Sequence, residues 1–161
     1  MRIGIGYDIH RFDGRRPLKL GGVVVPSPRG LAGHSDADVL LHAVADALFG
    51  AIGAPDLGEQ FPSGDPAWRG ADSRRFVAAA MALVRRGGWS VSNLDATVIG
   101  DAPRLTGHKA RIAGAISRLL GVPAGCVSVK AKSTEGFAPG LEGIAAQAVV
   151  LLERAPTRRH A

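Results

Sequence analysis

The stretch Met1-Arg2-Ile3-Gly4-Ile5-Gly6-Tyr7-Asp8-Ile9-His10 decides the fold of this chain. Apolar and small residues alternate from Met1 to Ile9, and this alternation predicts a strand. Asp8 and His10 are two residues apart, so their side chains leave the strand on the same face. The strand therefore carries a carboxylate and an imidazole side by side, and both are candidate ligands for a metal ion.

A helix is predicted over about residues 36–52, ending at Gly53, and it offers a third candidate ligand in His42. Ser35 or Asp36 is expected to cap this helix, and Asp36 and Asp38 are expected to place negative charge in its first turn. The apolar positions that suit a core are Leu40, Leu41, Val44, Leu48 and Ala51.

A polar stripe on the same helix surrounds His42, because Asp38 and Asp46 lie four residues to either side of it. Either carboxylate is expected to orient His42 through its second ring nitrogen, as metal-bound imidazoles usually require. Two imidazoles and one carboxylate leave one tetrahedral position open, which is typical of catalytic zinc. A solvated helix face with ordinary capping is the alternative interpretation of this pattern.

The remaining pattern predicts one α+β domain, residues 1–155, followed by a flexible basic tail at 156–161. A hairpin at 18–25 turns at Gly21-Gly22, and residues 56–72 form a long surface loop, which is usually functional. Further helices are expected at about 72–87 and 106–120, and strands at about 90–99, 127–132 and 144–152. Helices should pack on one face of a mixed β-sheet. The other face must then be covered by another subunit.

Bulk properties narrow the class of protein. The hydrophobic content is 46% without a long apolar run, which indicates a soluble protein and no membrane span. The net charge of +6 fits an anionic ligand or nucleic acid, but with 5% aromatic residues base-stacking platforms are few. Cys126 is the single cysteine, which excludes an internal disulfide and fits a reducing cytoplasm. Met1-Arg2 leads directly into a strand, so no signal peptide is expected.

Several motifs together resemble the 2-C-methyl-D-erythritol 2,4-cyclodiphosphate synthase family. They occur in the order and spacing of that family from residue 2 to about residue 152. The motifs are Gly6-Tyr7-Asp8-Ile9-His10, Gly33-His34-Ser35-Asp36-Ala37-Asp38, Asp56-Leu57-Gly58, Phe61-Pro62, Asp65-Pro66, Gly70-Ala71-Asp72-Ser73 and Lys130-Ala131-Lys132-Ser133-Thr134-Glu135.

This resemblance implies an enzyme of the non-mevalonate isoprenoid pathway, a phosphorus–oxygen lyase. Its substrate is 4-diphosphocytidyl-2-C-methyl-D-erythritol 2-phosphate. The phosphate on the sugar alcohol attacks the β-phosphorus, closes the cyclic diphosphate and expels CMP. The resemblance also implies a homotrimer with active sites between neighbouring chains, and no nucleic-acid or membrane partner.

The same resemblance assigns roles to individual positions. Zinc would bind Asp8, His10 and His42, and Glu135 would bind a second ion, Mg²⁺ or Mn²⁺. His34 and Ser133 would be catalytic, stabilising the transition state. Asp56 and Gly58 would hold the sugar portions, residues 61–65 would form a mobile cover, and residues 100–106 would form the cytosine pocket. The substrate-binding set is Asp8, Ile9, His10, His34, Ser35, Asp56, Leu57, Gly58, Phe61, Pro62, Ser63, Gly64, Asp65, Gly100, Asp101, Ala102, Pro103, Arg104, Leu105, Thr106, Ala131, Lys132, Ser133, Thr134, Glu135 and Phe137.

Three positions depart from the family pattern. Ser63 replaces a common acid, and Lys132 stands where Thr is frequent. An Arg that could hold an isoprenoid diphosphate on the trimer axis is missing near Gly140-Leu141, so weak binding of such ligands is expected.

Two other functions are alternatives to the synthase. One is a zinc phosphohydrolase in which Glu135 or Asp38 positions a water molecule. The other, less supported, is a basic nucleic-acid-binding module.

Overall fold

The computed structural model describes residues 1–14, 16–137 and 142–155. Residues Gly140-Leu141 and the predicted tail at 156–161 lie outside the described residues. The strands are β1 Arg2–Asp13, β2 Leu18–Leu20, β3 Val23–Val25, β4 Gly30–Leu31, β5 Trp89–Ile99, β6 Val127–Lys132 and β7 Gly143–Arg154. The helices are α1 Val39–Ile52, α2 Leu57–Gln60, α3 Arg74–Arg86 and α4 Lys109–Leu120, with 3₁₀ turns at Pro66–Trp68 and Ala124–Cys126.

The main sheet has five strands in the order β4-β1-β7-β5-β6, and β2 and β3 form a separate hairpin. β5 and β6 are parallel, whereas the other neighbours in the main sheet are antiparallel. β1 and β7 are paired from Arg2 opposite Leu152 to Arg11 opposite Gly143. The predicted α+β fold with a mixed sheet is therefore confirmed.

Helix α1 packs against β1 and β7, on the face of the sheet that forms the core. Two glycines on β1 allow the close approach of this helix. A Cβ atom at Gly6 would lie 2.0 Å from the Ala43 carbonyl oxygen, and one at Gly4 would lie 1.9 Å from the Ala47 carbonyl oxygen. Because the helix backbone itself occupies this space, only glycine fits at these two positions. The short distance brings α1 within reach of the side chains of β1.

The variant Gly6→Ala is expected to be destabilised by about 3 kcal/mol, at the upper end of typical overpacking costs, because the clash is with backbone. Denaturant unfolding at a fixed protein concentration would measure this. Gly107→Ala is the matched control, since a Cβ there meets nothing within 4 Å. The control should change stability by less than about 0.5 kcal/mol. Equal stability of the two variants would contradict the packing argument.

The opposite face of β1 carries a row of exposed apolar side chains at alternate positions. The exposed fractions are 70% for Ile3, 62% for Ile5, 56% for Tyr7 and 48% for Ile9. A contiguous apolar patch of this kind usually marks an interaction surface. We refer to these four residues as the β1 stripe. No helix in the described part of the chain is long and apolar enough to cross a bilayer.

The start of α1 differs from the prediction. The helix begins at Val39, and Asp38 is its N-cap, accepting a hydrogen bond from the Leu41 amide at 3.0 Å. Ser35 and Asp36 precede the helix, separated from it by Ala37, which has a positive φ of 59°. The predicted capping by Ser35 or Asp36, and the predicted acidic first turn, were therefore wrong. The end at Gly53 is confirmed, with a left-handed φ of 71°.

The predicted loop at 56–72 also contains the short helix α2 and the 3₁₀ turn at Pro66–Trp68. Each is too short to show a helical period in the sequence. Asp56 caps α2 through the Glu59 amide at 2.9 Å, and Asp65 caps the 3₁₀ turn through the Ala67 amide at 2.9 Å. The segment thus contains more regular secondary structure than its glycines and prolines indicate.

Candidate active site

Asp8 and His10 lie on the helix-facing side of β1 and meet His42 of α1. The Asp8 Oδ2 atom is 2.9 Å from His10 Nε2 and 2.8 Å from His42 Nδ1, and the two ring nitrogens are 3.2 Å apart. One ligand atom from each residue lies within 4.8 Å of the others. The predicted convergence of these three side chains is therefore confirmed. It follows from the strand period, the position of His42 on α1, and the glycines that admit the helix.

The second ring nitrogen of each histidine has a defined partner. His10 Nδ1 lies 2.5 Å from the Ala32 carbonyl oxygen and donates its proton to it, so in the neutral ring Nε2 is the unprotonated nitrogen and faces the other two ligands. His42 Nε2 lies 3.0 Å from both Ser35 Oγ and Ser73 Oγ. Both imidazoles thus present one nitrogen to the ligand cluster and anchor the other in the protein, as metal-binding histidines do.

The predicted orientation of His42 by Asp38 or Asp46 was wrong. Asp38 is fully buried and accepts hydrogen bonds from the amides of Gly21 and Gly22 at 2.9 and 2.6 Å. Asp46 accepts from the Leu57 amide at 2.7 Å. Both carboxylates therefore organise loops beside α1. The serines that contact His42 were missed as its partners, although the motif at 70–73 includes Ser73.

The electrostatics of the cluster couple the Asp8 carboxyl to the two histidines beside it. Burial acts to raise the pKa of the Asp8 carboxyl, but hydrogen bonds and positive charge from His10 and His42 outweigh it, so this pKa lies well below its usual value. Burial acts to lower the pKa of His10, but the hydrogen bond and charge of Asp8 outweigh it, so the pKa of His10 is raised. The ionised form of the Asp8 carboxyl is thus stabilised by the positive charge of the histidines beside it.

The donor set fits a divalent metal ion. One carboxylate oxygen and two imidazole nitrogens are ligands that zinc accepts, and three protein ligands leave a fourth tetrahedral position open. Both imidazoles are held in orientations that direct a nitrogen at the same point. The cluster therefore has the chemistry and the geometry of a divalent-metal site.

A cleft of about 190 Å³ adjoins His42. It brings together several of the sequence-predicted residues with an aromatic wall. Phe61 packs edge-on against Trp68 with ring centroids 4.9 Å apart. Its ring is tilted against that of Phe76, with a centroid distance of 4.8 Å. Pro62, Gly64 and Asp65 are exposed on the loop beyond it. The lining residues are His34, Ser35, His42, Leu57, Gly58, Phe61, Ser63, Trp68 and Phe76. We call this the metal-side cleft.

A second cleft of about 310 Å³ lies where β5 and β6 end. The parallel pairing of these strands, with Ile99 opposite Lys132, brings the loops that follow them together. Asp101 accepts hydrogen bonds from the Thr134 amide and hydroxyl, both at 2.7 Å, which ties one loop to the other. The lining residues are Val98, Gly100, Asp101, Ala102, Pro103, Arg104, Leu105, Thr106, Ala131, Lys132, Ser133 and Ile144. We call this the loop cleft.

Some predicted site residues neither belong to the ligand cluster nor line one of the two clefts, and others are divided between the clefts. Glu135 accepts a hydrogen bond from the Ser133 hydroxyl. Over the described ranges it belongs to no group of three or more possible metal ligands. Phe137 is 94% exposed. The two clefts share no lining residue, so His34 and Ser133, which the family resemblance predicts to be catalytic, are divided between them.

The fold and the ligand cluster together define a class: an α+β protein with a candidate divalent-metal site beside a cleft. Comparison with known proteins then identifies the family. The sequence matches the YgbB family over residues 1–153, and close relatives carry the name 2-C-methyl-D-erythritol 2,4-cyclodiphosphate synthase. The chain belongs to this family, as its motifs predicted.

Individual relatives are similar to this chain over nearly the full length of both proteins. The 2-C-methyl-D-erythritol 2,4-cyclodiphosphate synthase of Geotalea uraniireducens (strain Rf4) is 52% identical, over 96% of this chain and 99% of that protein. A solved 2C-methyl-D-erythritol-2,4-cyclodiphosphate synthase in a CDP-bound form is 41% identical, with a TM-score of 0.88 over 94% of this chain and 100% of that one. The CDP complex of IspF from Plasmodium falciparum is 31% identical, with a TM-score of 0.83, covering 96% and 97% of the two chains.

Proposed function

We propose that this chain converts 4-diphosphocytidyl-2-C-methyl-D-erythritol 2-phosphate to 2-C-methyl-D-erythritol 2,4-cyclodiphosphate and CMP, as a phosphorus–oxygen lyase. The observation that carries the proposal is the convergence of Asp8, His10 and His42, in a chain 52% identical to a relative of that name. The single cysteine, Cys126, supports a cytoplasmic location for this step.

The reaction is an intramolecular phosphoryl transfer. An oxygen of the 2-phosphate attacks the β-phosphorus, and the bond from that phosphorus to the bridging oxygen of CMP breaks. The attacking phosphate is already anionic near neutral pH, so the enzyme contributes mainly positioning and charge stabilisation. Zinc held by Asp8, His10 and His42 would supply a Lewis acid for a β-phosphate oxygen.

The two clefts suit the two ends of the substrate. The metal-side cleft has an apolar wall of Phe61, Trp68 and Phe76 that suits the methylerythritol carbon chain, with His34 and Ser35 toward the phosphates. The loop cleft is lined by residues 100–106, whose backbone groups suit the edge of a cytosine. The CDP bound by two structurally similar relatives supports a cytidine diphosphate ligand. Glu135 would hold a second ion, Mg²⁺ or Mn²⁺, which would supply positive charge to the diphosphate.

The proposed assembly is a closed homotrimer. The β1 stripe exposes four apolar side chains that another chain would cover, and cyclic symmetry closes such an interface. Since the two clefts share no lining residue, the metal-side cleft of one chain and the loop cleft of its neighbour would form one active site.

Phosphorus NMR of the products tests the function. Incubation of the zinc-loaded protein with the cytidine diphosphate substrate should yield the cyclic diphosphate and CMP. Release of inorganic phosphate would instead indicate the hydrolase. Asp38 does not fit the role of hydrolytic base, because it is fully buried and accepts three backbone hydrogen bonds.

The apparent affinity for zinc is expected to fall at least about tenfold for each pH unit below the raised pKa of His10, because a proton must leave this ligand before the metal binds. Since this pKa lies above 6.5, the loss should begin near neutral pH. Asp8, with its lowered pKa, stays ionised throughout this range. Chelator competition between about pH 5.5 and 8 would measure the fall. An affinity that stays constant over this range would contradict the assignment of His10 as a ligand.

Hybrid trimers test the shared site. His42→Ala removes a metal ligand, and Ala131→Trp fills the loop cleft, which Ala131 lines. Random mixing of two such inactive chains in equal amounts should restore about one quarter of the wild-type activity, because one site in four joins two intact halves. Each variant refolded alone is the control. A mixture without activity, in hybrids shown to form by mass spectrometry, would place both halves of the site in one chain.

A further inference from the structure

Two serine hydroxyls contact His42 on the side of the ring that faces away from the ligand cluster. Ser35 and Ser73 are both buried, and both hydroxyl oxygens lie 3.0 Å from His42 Nε2. The two hydroxyls are 3.4 Å apart. Ser73 Oγ also lies 2.5 Å from Asp36 Oδ1. A continuous path of hydrogen bonds therefore leads from the imidazole to a carboxylate.

The number of protons available determines which atom donates in each hydrogen bond of this path. A hydroxyl has one proton, and an ionised carboxylate only accepts, so Ser73 must donate to Asp36. Ser73 then has no proton left for His42 and accepts one from Nε2. With its proton on Nε2, the ring leaves Nδ1 unprotonated, and Nδ1 is the atom that faces Asp8 and His10. Ser35 alone would not fix this choice, because its free hydroxyl proton satisfies either tautomer.

Asp36 is held in its position by hydrogen bonds and an ion pair. Its Oδ1 also accepts from the Ser73 amide at 3.2 Å, and its own amide donates to the Ala71 carbonyl at 2.9 Å. Lys19 Nζ lies 3.0 Å from Oδ2 and keeps a positive charge beside the carboxylate. These contacts tie the segment that precedes α1 to the start of α3. The carboxylate is therefore oriented by Ser73 on the side of His42 and by Lys19 on the side away from the ligand cluster.

We propose that Asp36, acting through Ser73, is a positioning residue for the metal site: it holds His42 in the tautomer that presents Nδ1 to the metal. The inference rests on the proposed metal site and deepens it. Hydrogen-bonded partners of metal-bound histidines typically contribute about 10-fold to 100-fold to metal affinity. Here a serine hydroxyl stands between the carboxylate and the imidazole.

Zinc affinity, measured by chelator competition at a fixed pH, tests the proposal without reference to activity. Asp36→Ala removes the acceptor that fixes the direction of the Ser73 hydroxyl, and it should weaken zinc binding about 10-fold. Ser73→Ala should weaken it at least as much. Lys19→Met is the matched control, because it removes the ion pair but leaves the path intact, and it should change the affinity less than about threefold. Thermal unfolding of the metal-free variants checks that each is folded.

A second measurement separates a change in the imidazole from a general loosening of the site. In zinc-loaded protein labelled with ¹⁵N-histidine, the Nε2–H proton of His42 should resonate downfield and exchange slowly with water. Asp36→Ala should shift it upfield, and Lys19→Met should not. Unchanged zinc affinity in folded Asp36→Ala, or an equal loss in Lys19→Met, would overturn this proposal alone. Failure of the wild-type chain to bind zinc would overturn the metal site as well.

Discussion

His42→Ala is expected to lose the metal ion and the activity together while the domain stays folded. The imidazole contributes one of three ligand atoms within 4.8 Å of one another, and two remaining ligands hold zinc poorly. Loss of a Lewis acid worth several kcal/mol corresponds to about a 10³-fold fall in rate, at about 1.36 kcal/mol for each factor of ten. The helix keeps its buried apolar residues, so the far-UV circular dichroism should match that of the wild type.

Elemental analysis of the purified variant measures this effect directly. The wild type should carry about one zinc per chain, and the variant much less than that. His108→Ala is the matched control, since His108 lines neither cleft and belongs to no ligand group found among the described residues. Full zinc occupancy in folded His42→Ala would reject the assignment of this ligand.

Ile5→Asp is expected to convert the assembly to monomers and to abolish most of the activity. Ile5 lies within the β1 stripe, and a carboxylate there would be buried without a partner when a second chain covers the stripe. Light scattering at micromolar concentration should then report a mass near the 16.6 kDa of one chain. Each monomer should still bind zinc, because Asp8, His10 and His42 all come from one chain. Retention of zinc distinguishes this loss of activity from that of His42→Ala.

Val24→Asp is the matched control for this experiment. Val24 is also an exposed apolar residue, but it lies on the β2–β3 hairpin, away from the stripe. It should leave both the assembly and the activity unchanged. A wild-type chain that is itself monomeric and active would contradict the proposed shared site.

The local part of the metal site was predictable from the sequence. Strand alternation alone places Asp8 and His10 on one face, because the period of a strand is two residues. The position of His42 within an apolar helical pattern was equally clear. The distance between β1 and α1 was not predictable, because it depends on the fit of Gly4 and Gly6 against the helix backbone. The sequence therefore favours convergence of the three ligands without fixing how closely they approach one another.

The surroundings of His42 depend on contacts that local patterns do not predict. Ser73 is 31 residues from His42 along the chain, and only the tertiary packing of α3 beside α1 brings them together. Spacing rules describe neighbours within one helix, so they favoured Asp38 and Asp46 instead. The positive φ of Ala37 turns the chain before α1 and moves Ser35 and Asp36 out of capping positions. No periodicity in the sequence indicates such a turn.

The loop cleft was predicted from the family resemblance rather than from the residues themselves. Residues 100–106 and 131–133 contain no pattern that places them together. The structure supplies the reason, because β5 and β6 are parallel and end at the same edge of the sheet. A parallel pair separated by a helix is a long-range feature that local patterns do not determine.

The aromatic wall of the metal-side cleft also provides an internal optical reporter. The chain has two tryptophans, and Trp68 stands in this wall against Phe61 and Phe76. Trp89 is elsewhere, enclosed between the guanidinium groups of Arg2 and Arg154 at 5.2 and 4.2 Å from its ring. The indole of Trp68 is thus the fluorophore whose emission responds to the polarity of this cleft. Its spectrum would follow the entry and departure of a ligand in real time, without any added label.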